Sequence, residues 1–317
     1  MKKVIVTGGA GFIGSNLIDK LLADNNYHVT CIDNFDSFYN IELKRQNIFN
    51  HISNVNYKLI EADICDFDFL LEKLDANYDL LIHLAAKAGV RPSLENPMEY
   101  QRVNVLGTQS MLEIAQLKGI KKFIFASSSS VYGTNDKFPW SESILDLKPI
   151  SPYAASKIAG EWLGKCYSEI YNIRFTALRF FTVFGPRQRP DLAINKFVSL
   201  IQKHEPISLF GDGSTMRDYT FINDIVNGIQ AAIEFDDNKF EIFNLGNSYP
   251  IELTEMIRII EKVLEIKSII NYLPEQLGDV PATLADISKS QKMLGYNPTT
   301  SFEAGMRQFI SWKLSQE

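Results

Sequence analysis

Short apolar runs alternate with amphipathic segments along the first half of the chain. The first run, "VIV", is β-branched, and in the following "FIGSNLIDKLL" apolar residues recur at every third or fourth position, as on one face of a helix. Later apolar runs read "HVTCID", "VNYKLIEAD", "YDLLIHLAA", "KKFIFASS" and "IRFTALRFF", and helical patterns such as "FDFLLEKL" and "NPMEYQRVNVLGTQSMLEIAQLKG" separate several of them. Buried strands that alternate with helices predict an α/β fold built on a doubly wound parallel (Rossmann) sheet.

Glycines follow the first predicted strand and precede the first predicted helix; they are Gly8, Gly9, Gly11 and Gly14. A strand, a glycine turn and a helix in this order place backbone N–H groups and the positive helix end beside a pyrophosphate. The second strand ends in Asp33, about 20 residues past the glycines, where a carboxylate binds a ribose hydroxyl. Because an aspartate there repels a 2′-phosphate, the pattern predicts NAD rather than NADP.

The last third of the chain has a different pattern, in which helices such as "TEMIRIIEKVLEI" alternate with short strands. This pattern indicates a smaller C-terminal α/β lobe that covers the carboxyl edge of the sheet and closes a substrate site. We therefore predict an NAD-binding domain over residues 1–180, to which residues 216–245 return, and a substrate-binding lobe over residues 181–317.

The composition excludes several classes of partner. The chain has 317 residues, 45% of them hydrophobic, a net charge of −6 and a pI of about 5.4. A net negative charge argues against a broad surface that binds nucleic acid or membranes. We also find no apolar run long enough to span a bilayer and expect no secretion signal. The cysteines, Cys31, Cys65 and Cys166, lack metal-ligand spacing, so we expect no metal site and a cytoplasmic protein with reduced thiols.

In a doubly wound sheet, ligands bind at the carboxyl ends of the strands. The residues that follow the predicted strands are therefore candidates for ligand contacts: Asp63 and Ile64, Ala85 to Lys87, Ser127 to Ser130, and Phe180 to Thr182. Asp63 has two interpretations, a contact to the adenine end of a dinucleotide or an ordinary loop carboxylate, and the pattern does not separate them.

The stretch "SPYAASK" predicts the start of a helix that carries a tyrosine and a lysine on one face. Ser151 is a good N-cap residue, and Pro152 suits the first helical position. Tyr153 and Lys157 are four residues apart and are therefore neighbours on the helix surface. Taken alone, such a pair is an ordinary surface feature. Beside a dinucleotide fingerprint and a strand that ends in serines, it indicates a catalytic group.

Three motifs, "TGGAGFIG", "SSSSVYG" and "YAASK", together resemble the extended short-chain dehydrogenase/reductases that act on nucleotide sugars. The resemblance covers nearly the whole chain, down to "GDVPATLADISKSQKMLGYNPTTSFEAGMRQFI". It implies catalytic roles for Tyr153, Lys157 and Ser128. Together with the glycine motif, it gives as cofactor-binding residues Gly8, Gly11, Phe12, Ile13, Gly14, Asp33, Asn34, Asp63, Ile64, Leu84, Ala85, Ala86, Lys87, Asn104, Ser127, Tyr153 and Lys157.

A phenol with a pKa of about 10 is too weakly acidic to serve as a base near neutral pH. An ammonium about 4 Å away stabilises the phenolate by about 4 kcal/mol at an effective dielectric near 20, which corresponds to about three pKa units. Desolvation opposes this effect, and the positive nicotinamide ring assists it. We therefore expect Tyr153 to accept a sugar hydroxyl proton while Ser128 binds the same oxygen.

The residues after Ser128 discriminate among the reactions of this family. Dehydratases of the family carry an Asp–Glu pair after the catalytic serine or threonine, and nucleotide-glucuronate decarboxylases carry a glutamate just before "VYG". Here Ser129 and Ser130 occupy those positions. Neutral donors favour oxidation, rotation of the keto intermediate and re-reduction from its other face, which is the reaction of a 4-epimerase that regenerates NAD.

Two stretches, "RFFTVFGPRQRPD" and "DNFDSFYNIELKRQNI", resemble UDP-glucuronate 4-epimerases more than UDP-galactose 4-epimerases, which place an asparagine at the position of Thr182. The resemblance implies conversion of UDP-glucuronate to UDP-galacturonate, whose carboxylate needs a cation and neutral donors beside it. The expected substrate-binding residues are Arg91, Ser128, Ser129, Ser130, Thr182, Arg189, Lys196, Arg217 and Asp279. Arg187 has two other interpretations, a solvated loop residue or a member of a structural ion pair, and the sequence does not decide between them.

Other functions are compatible with the same motifs. Within the family, the alternatives are a UDP-glucose or UDP-N-acetylglucosamine 4-epimerase and a UDP-glucuronate decarboxylase. A different class is a non-catalytic NAD-binding sensor, although such proteins usually lose the tyrosine or the lysine. The helices near residues 97–118 and 151–171 pair across a two-fold axis in relatives, so the resemblance also implies a homodimer.

Overall fold

A computed structural model describes residues 1–274 and 280–316 of the chain. The strands are β1 (Lys2–Thr7), β2 (Tyr27–Asp33), β3 (Tyr57–Glu61), β4 (Leu80–His83), β5 (Lys122–Ser128), β6 (Arg174–Phe180), β7 (Thr182–Phe184), β8 (Ile207–Phe210), β9 (Met216–Phe221), β10 (Phe240–Leu245), β11 (Pro250–Glu252) and β12 (Ile270–Leu273). The α-helices are α1 (Phe12–Ala23), α2 (Ile41–Ile48), α3 (Phe67–Lys73), α4 (Val90–Glu95), α5 (Pro97–Tyr100), α6 (Gly107–Leu117), α7 (Pro152–Tyr171), α8 (Ala193–Gln202), α9 (Ile222–Glu234), α10 (Leu253–Leu264), α11 (Ser288–Leu294) and α12 (Phe302–Leu314).

Seven strands form one sheet in the order β3–β2–β1–β4–β5–β6–β10, and every neighbouring pair is parallel. The strand order reverses between β1 and β4, which opens a crevice at the carboxyl edge of the sheet. The predicted α/β class and doubly wound parallel sheet are therefore confirmed.

The core lies on both faces of this sheet. Along β1, Val4 and Val6 join the apolar cluster that includes α1 and α9, whereas Ile5 joins the cluster that includes α3, α6 and α7. Successive residues of a strand point to opposite faces, so a strand buried on both faces reads as a continuous apolar run. This is the physical origin of the runs that the sequence shows.

The C-terminal part forms a second, smaller unit of structure. Strands β11, β9 and β7 form a three-stranded sheet, and β12 pairs with β8 in parallel. Within the predicted returning segment 216–245, β10 lies in the large sheet and β9 lies in the small one. The domain boundaries themselves stay a prediction.

Helix α7 brings the tyrosine and lysine to the carboxyl edge of the large sheet. It begins after Ser151, whose Oγ accepts a hydrogen bond from the N–H of Ala154 at 3.1 Å, and Pro152 occupies its first position. Two glycines let the helix approach the sheet closely, because a Cβ at Gly160 or Gly164 would stand within 2.4 Å of an aromatic ring carbon. The start predicted from "SPYAASK" is therefore confirmed.

Some local elements differ from those that the pattern predicts. Helices α2 and α4 are not among the predicted elements. The predicted helix over "NPMEYQRVNVLGTQSMLEIAQLKG" is helical over 97–117, but Gln101–Leu106 forms a π-helical turn inside it. Such wide turns are frequent at functional sites, and this one contains Asn104.

Candidate active site

The glycine turn between β1 and α1 forms the floor of a cleft at the switch point of the sheet. Gly8 has a φ of +71°, and a Cβ there would lie 2.8 Å from the backbone of Ala85. Gly11 precedes α1 as its N-cap and provides no side-chain cap. The backbone N–H groups at the start of α1 are thus free of a capping side chain, and they suit a pyrophosphate.

Asp33, at the end of β2, has its carboxylate fixed by backbone groups. Its Oδ2 accepts from the N–H of Ala10 at 3.0 Å and its Oδ1 from the N–H of Phe35 at 2.9 Å. Burial raises the pKa of Asp33, and the nearby Lys44 ammonium acts most strongly in the opposite direction. The fixed carboxylate retains lone pairs for the hydroxyls of a ribose.

Asp63 lines the cleft and is also part of a polar cluster. Its Oδ2 accepts from Arg102 at 3.3 Å and from Asn34 at 3.4 Å, and its Oδ1 accepts from the N–H of Cys65 at 2.9 Å. Burial acts to raise the pKa of this carboxyl, but the bonds from Cys65 and Arg102 outweigh it and lower the pKa. Both interpretations of Asp63 therefore remain compatible with its surroundings.

Asn104 connects the loop after β4 with α7. Its Oδ1 accepts from the N–H of Lys87 at 2.8 Å, and its Nδ2 donates to the carbonyl of Lys87 and to Ser156 Oγ, both at 2.9 Å. Lys87 in turn forms an ion pair of 2.8 Å with Asp36. Asn104 is therefore buried behind the cleft and fixes the loop that lines it.

Lys157 lies one helical turn from Tyr153 beneath the centre of the cleft. Its Nζ donates to the carbonyl of Ala126 at 2.7 Å and lies 5.9 Å from the centroid of the Tyr153 ring. Burial lowers the pKa of Lys157 to about 7, although the Glu161 carboxylate acts to raise it. The buried amine is thus close to the point at which it loses its proton at neutral pH.

Burial raises the pKa of Tyr153, while a hydrogen bond with Ser128 and the charge of Arg189 act to lower it. Desolvation, which was expected to oppose the effect of the Lys157 ammonium, is therefore the largest influence on the pKa of this phenol. Two buried groups of opposite charge type each lose solvation, which favours the neutral form of both. Further positive charge in the cleft, such as the predicted nicotinamide ring, is needed to favour the phenolate.

The serines at the end of β5 have distinct partners. Ser127 Oγ donates to Glu161 Oε1 at 2.5 Å. Ser128 Oγ donates to Ser130 Oγ at 3.1 Å and accepts from the N–H of Ser130 at 3.2 Å. Ser129 and Ser130 are partly buried in the short 3₁₀ turn that follows β5. Of these serines, Ser128 is the one that forms the hydrogen bond with Tyr153.

Arg189 brings a cation to the same cleft. Its Nε and Nη2 donate to the two carboxylate oxygens of Asp191 at 2.9 and 2.7 Å, and its guanidinium carbon lies 5.0 Å from the ring centroid of Phe38. Burial acts to lower the pKa of Arg189, but the bond to Asp191 outweighs this effect and raises it. A guanidinium is charged at every physiological pH and has further donors available for a carboxylate.

One cleft of about 380 Å³ brings most of the predicted site residues together. Those that line it are Gly8, Gly11, Phe12, Ile13, Gly14, Asp33, Asn34, Asp63, Ile64, Leu84, Ala85, Ala86, Lys87, Ser127, Ser128, Tyr153, Lys157, Thr182 and Arg189. The geometry fits a dinucleotide that lies across the switch point with its reactive end beside Tyr153.

Other predicted residues lie outside this lining. Arg91 places its guanidinium carbon 5.5 Å from the ring centroid of Phe210, and Arg217 donates to the carbonyl of Met216 at 2.8 Å. Lys196 is exposed on α8. Asp279 lies outside the described residues. Their roles, and those of Ser129 and Ser130, stay predictions.

The cleft also contains residues that the motifs did not identify, among them Asp36, Phe38, Tyr39 and Lys44. All of them follow β2, within the segment "DNFDSFYNIELKRQNI". The sequence feature that could have identified them is their position in the segment that follows a strand end, because ligands bind at such ends in these sheets. Lys44 is buried, and its Nζ donates to the carbonyl of Asp36 at 2.8 Å.

Residues 1–274 and 280–316 contain neither a metal-binding cluster nor a membrane-spanning helix. Among these residues, no group of histidine, cysteine, aspartate and glutamate side chains is arranged to hold a metal ion. Within the same part of the chain, no helix has both the length and the apolar character needed to cross a membrane.

Comparison with known proteins identifies the class. Residues 5–309 match the family model described as GDP-mannose 4,6 dehydratase. An uncharacterised protein of Methanocaldococcus jannaschii is 44% identical, with 100% of this chain and 97% of that protein covered. A UDP-glucuronate 4-epimerase of Thermodesulfobacterium geofontis is 38% identical, with 97% and 95% covered. The chain belongs to this family, the extended short-chain dehydrogenase/reductases that act on nucleotide sugars.

Solved structures narrow the class further. A UDP-glucuronic acid 4-epimerase from Bacillus cereus, in complex with UDP-glucuronic acid and NAD, has a TM-score of 0.93 and 36% identity over 99% of this chain and 100% of that one. A UDP-N-acetylglucosamine 4-epimerase from Methanobrevibacter ruminantium has a TM-score of 0.91 and 36% identity over 100% and 99%. The predictions of an NAD-dependent nucleotide-sugar 4-epimerase and of NAD as its cofactor are confirmed.

Proposed function

We propose that the chain interconverts UDP-glucuronate and UDP-galacturonate by inversion at C4 of the sugar. The observation that carries this proposal is the position of Arg189, a permanent cation that lines the same cleft as Tyr153, Lys157 and Ser128. A sugar carboxylate bound there would meet a cation and neutral hydroxyl donors, which is the environment that such a group requires. Thr182, also in the lining, supplies one of these hydroxyls.

The reacting hydroxyl of the sugar would lie between Tyr153 and Ser128. Tyr153 takes its proton, and Ser128 donates a hydrogen bond to the same oxygen, which holds it in place. Lys157, fixed by the carbonyl of Ala126, stabilises the phenolate. NAD, when bound, would supply the hydride acceptor and donor that inversion at the sugar carbon requires. The glycine turn would hold its pyrophosphate, and Asp33 would hold its ribose.

The surroundings of Ser128 support epimerisation over the neighbouring reactions. Loss of water or carbon dioxide from a keto sugar is assisted by an additional acid, and Ser129 and Ser130 supply neutral hydroxyls instead. Bonds from Arg189 to the carboxylate would also oppose its rotation out of the ring plane, a rotation that decarboxylation requires. The similarity to a UDP-N-acetylglucosamine 4-epimerase keeps that substrate as the second candidate.

The first experiment tests the reaction itself. Purified protein is incubated with UDP-glucuronate, UDP-glucose and UDP-N-acetylglucosamine in parallel, and the products are separated by chromatography. We expect a C4-inverted product from UDP-glucuronate without net formation of NADH. Tyr153→Phe should lose turnover and retain NAD. Equal turnover of the mutant and the wild type would refute the role of Tyr153, and a wild type that binds NAD but converts none of the three sugars would support the sensor.

We also propose that the protein is a homodimer whose interface includes α7. Along this helix, Ile158, Trp162, Cys166 and Ile170 recur at every fourth position and so share one face. Trp162 is 59% and Ile170 70% exposed, and a second copy would cover them. A cytoplasmic location and a place in polysaccharide biosynthesis stay predictions from the sequence.

A further inference from the structure

A buried ion pair lies one helical turn beyond Lys157, at residues to which the proposed reaction assigns no role. Glu161 of α7 accepts two hydrogen bonds from Arg179 of β6, from Nε to Oε1 and from Nη2 to Oε2, both at 2.8 Å. The two side chains are only 4% and 3% exposed. Ser127, at the end of β5, donates to the same Glu161 Oε1 at 2.5 Å. The carboxylate therefore connects α7 with the ends of two strands.

Arg179 is held from its other side. Its guanidinium carbon lies 4.8 Å from the ring centroid of Tyr132, and the hydroxyl of Tyr132 donates to Asn244 Oδ1 at 2.8 Å. Neither Glu161 nor Arg179 lines the cleft. The pair is therefore out of reach of the cofactor and the sugar, so any effect on the reaction must pass through neighbouring side chains.

Among the side chains near Glu161, Lys157 is the one that loses its charge most readily, because burial lowers its pKa. Besides Tyr153 and Glu161 on its own helix, it faces His83 from β4 and, behind Glu161, Arg179 from β6. Burial lowers the pKa of His83 to about 3, so this imidazole is neutral and neither attracts nor repels the Lys157 ammonium. Among these groups Glu161 is the anion, and a buried amine without an anion nearby releases its proton.

We propose that Glu161 is a positioning residue for the reaction, whose carboxylate keeps Lys157 charged and fixes the hydroxyl of Ser127 at the end of β5. Arg179 holds that carboxylate in the orientation that both contacts need. The inference rests on the proposed function only in assuming that the ammonium of Lys157 serves the reaction. It adds a residue that acts through Lys157 and touches neither ligand.

The test measures the protonation of Lys157 directly. Purified protein is labelled competitively with acetic anhydride between about pH 5 and 9, and mass spectrometry of the peptide that contains Lys157 gives the midpoint of its titration. Glu161→Gln should move that midpoint down by about one pH unit, the order expected for loss of one nearby charge. Glu241→Gln is the matched control, because it removes a carboxylate of β10 in the same sheet that is paired with Lys289 and not with Lys157. In this control, the titration midpoint of Lys157 should stay at the wild-type pH.

A second variant separates this effect from damage to the fold. Glu161→Gln leaves a buried guanidinium without its partner, which destabilises a protein strongly, whereas apolar replacement of both partners is tolerated better. The double variant E161M/R179M should also move the midpoint down, but by less than Glu161→Gln, because the Arg179 cation is removed together with the carboxylate. The alkaline limb of its kcat against pH should move with the midpoint. An unchanged midpoint in both variants overturns the proposal. A shifted midpoint in a wild-type background that converts no UDP-sugar would overturn the proposed function and leave only the charge coupling between Glu161 and Lys157. A shifted midpoint with an unmoved kcat profile would overturn the positioning role alone.

Discussion

Two arginines of the segment "GPRQRPD" illustrate how far a motif can assign single residues. Arg187 forms an ion pair of 2.7 Å with Asp19 of α1, and the carbonyl of Pro186 accepts a bond of 3.2 Å from Asn16. Arg187 thus attaches the loop to the NAD-binding part of the fold. Arg189, two residues later, lines the cleft. The resemblance implied a substrate contact for Arg189 and left the role of Arg187 open, because a loop has no periodicity that tells which side chain faces the ligand.

Replacement of Arg189 by methionine tests the substrate assignment. Arg189→Met should raise the KM for UDP-glucuronate by about 10- to 100-fold, because hydrogen bonds to charged groups contribute about 1.5–3 kcal/mol. The KM for UDP-glucose should change little, since that sugar has no carboxylate. Arg187→Met is the matched control, with an unchanged ratio of the two KM values. A similar rise for both sugars would argue against the carboxylate contact.

At the same scale, the residues that the sequence placed correctly in the cleft belong to local motifs, in which a few neighbouring residues fix one another's positions. The glycine turn, Asp33 and the Tyr153–Lys157 pair belong to this group. The protonation of Lys157 was not predictable, because it depends on burial among residues of distant segments such as His83 and Ala126. A charge argument from sequence spacing gives the direction of this desolvation effect but not its size.

At the scale of elements, α7 shows why small residues recur along a helix. Its glycines face aromatic rings of the sheet, Phe125 beneath Gly160 and Phe175 beneath Gly164. The π-helical turn at Gln101–Leu106 was beyond prediction, because the apolar spacing of the surrounding helix continues through it. Its wider turn depends on contacts such as those of Asn104 with the loop after β4.

An alanine at position 164 tests this packing. In an open helix, glycine to alanine stabilises by about 0.5–1 kcal/mol. Here the added Cβ would lie 2.1 Å from a ring carbon of Phe175, so Gly164→Ala should destabilise the fold by about 1–3 kcal/mol, as measured by urea unfolding. The double variant G164A/F175L should recover part of this loss. A stabilised single variant would show that α7 can move away from the sheet at little cost.

For the whole molecule, the doubly wound sheet was predictable because its strands are buried on both faces and read as apolar runs. The path of the C-terminal part was harder to predict, since β9 and β10 are consecutive strands of equal length that join different sheets. Pairing is decided by which sheet has a free edge, and a local pattern does not contain that information. Helix α9, which packs in the same apolar cluster as α1, explains how β10 returns to the large sheet beside β6.

The assembly of two such molecules is tested on α7. A charge at the centre of the exposed face should prevent burial of that face, because an unpaired charge in an apolar interface loses its hydration. Trp162→Glu should therefore convert a dimer into a monomer, as measured by light scattering after size exclusion, while the folding of the chain is retained. Leu145→Glu is the matched control, since Leu145 is 91% exposed in the loop that precedes α7 and is not part of the helix face proposed as the interface, so its replacement should leave the mass unchanged. A monomeric wild type, or a Trp162→Glu variant that stays dimeric, would contradict an interface at this helix, and the apolar side chains at every fourth position would then need another explanation.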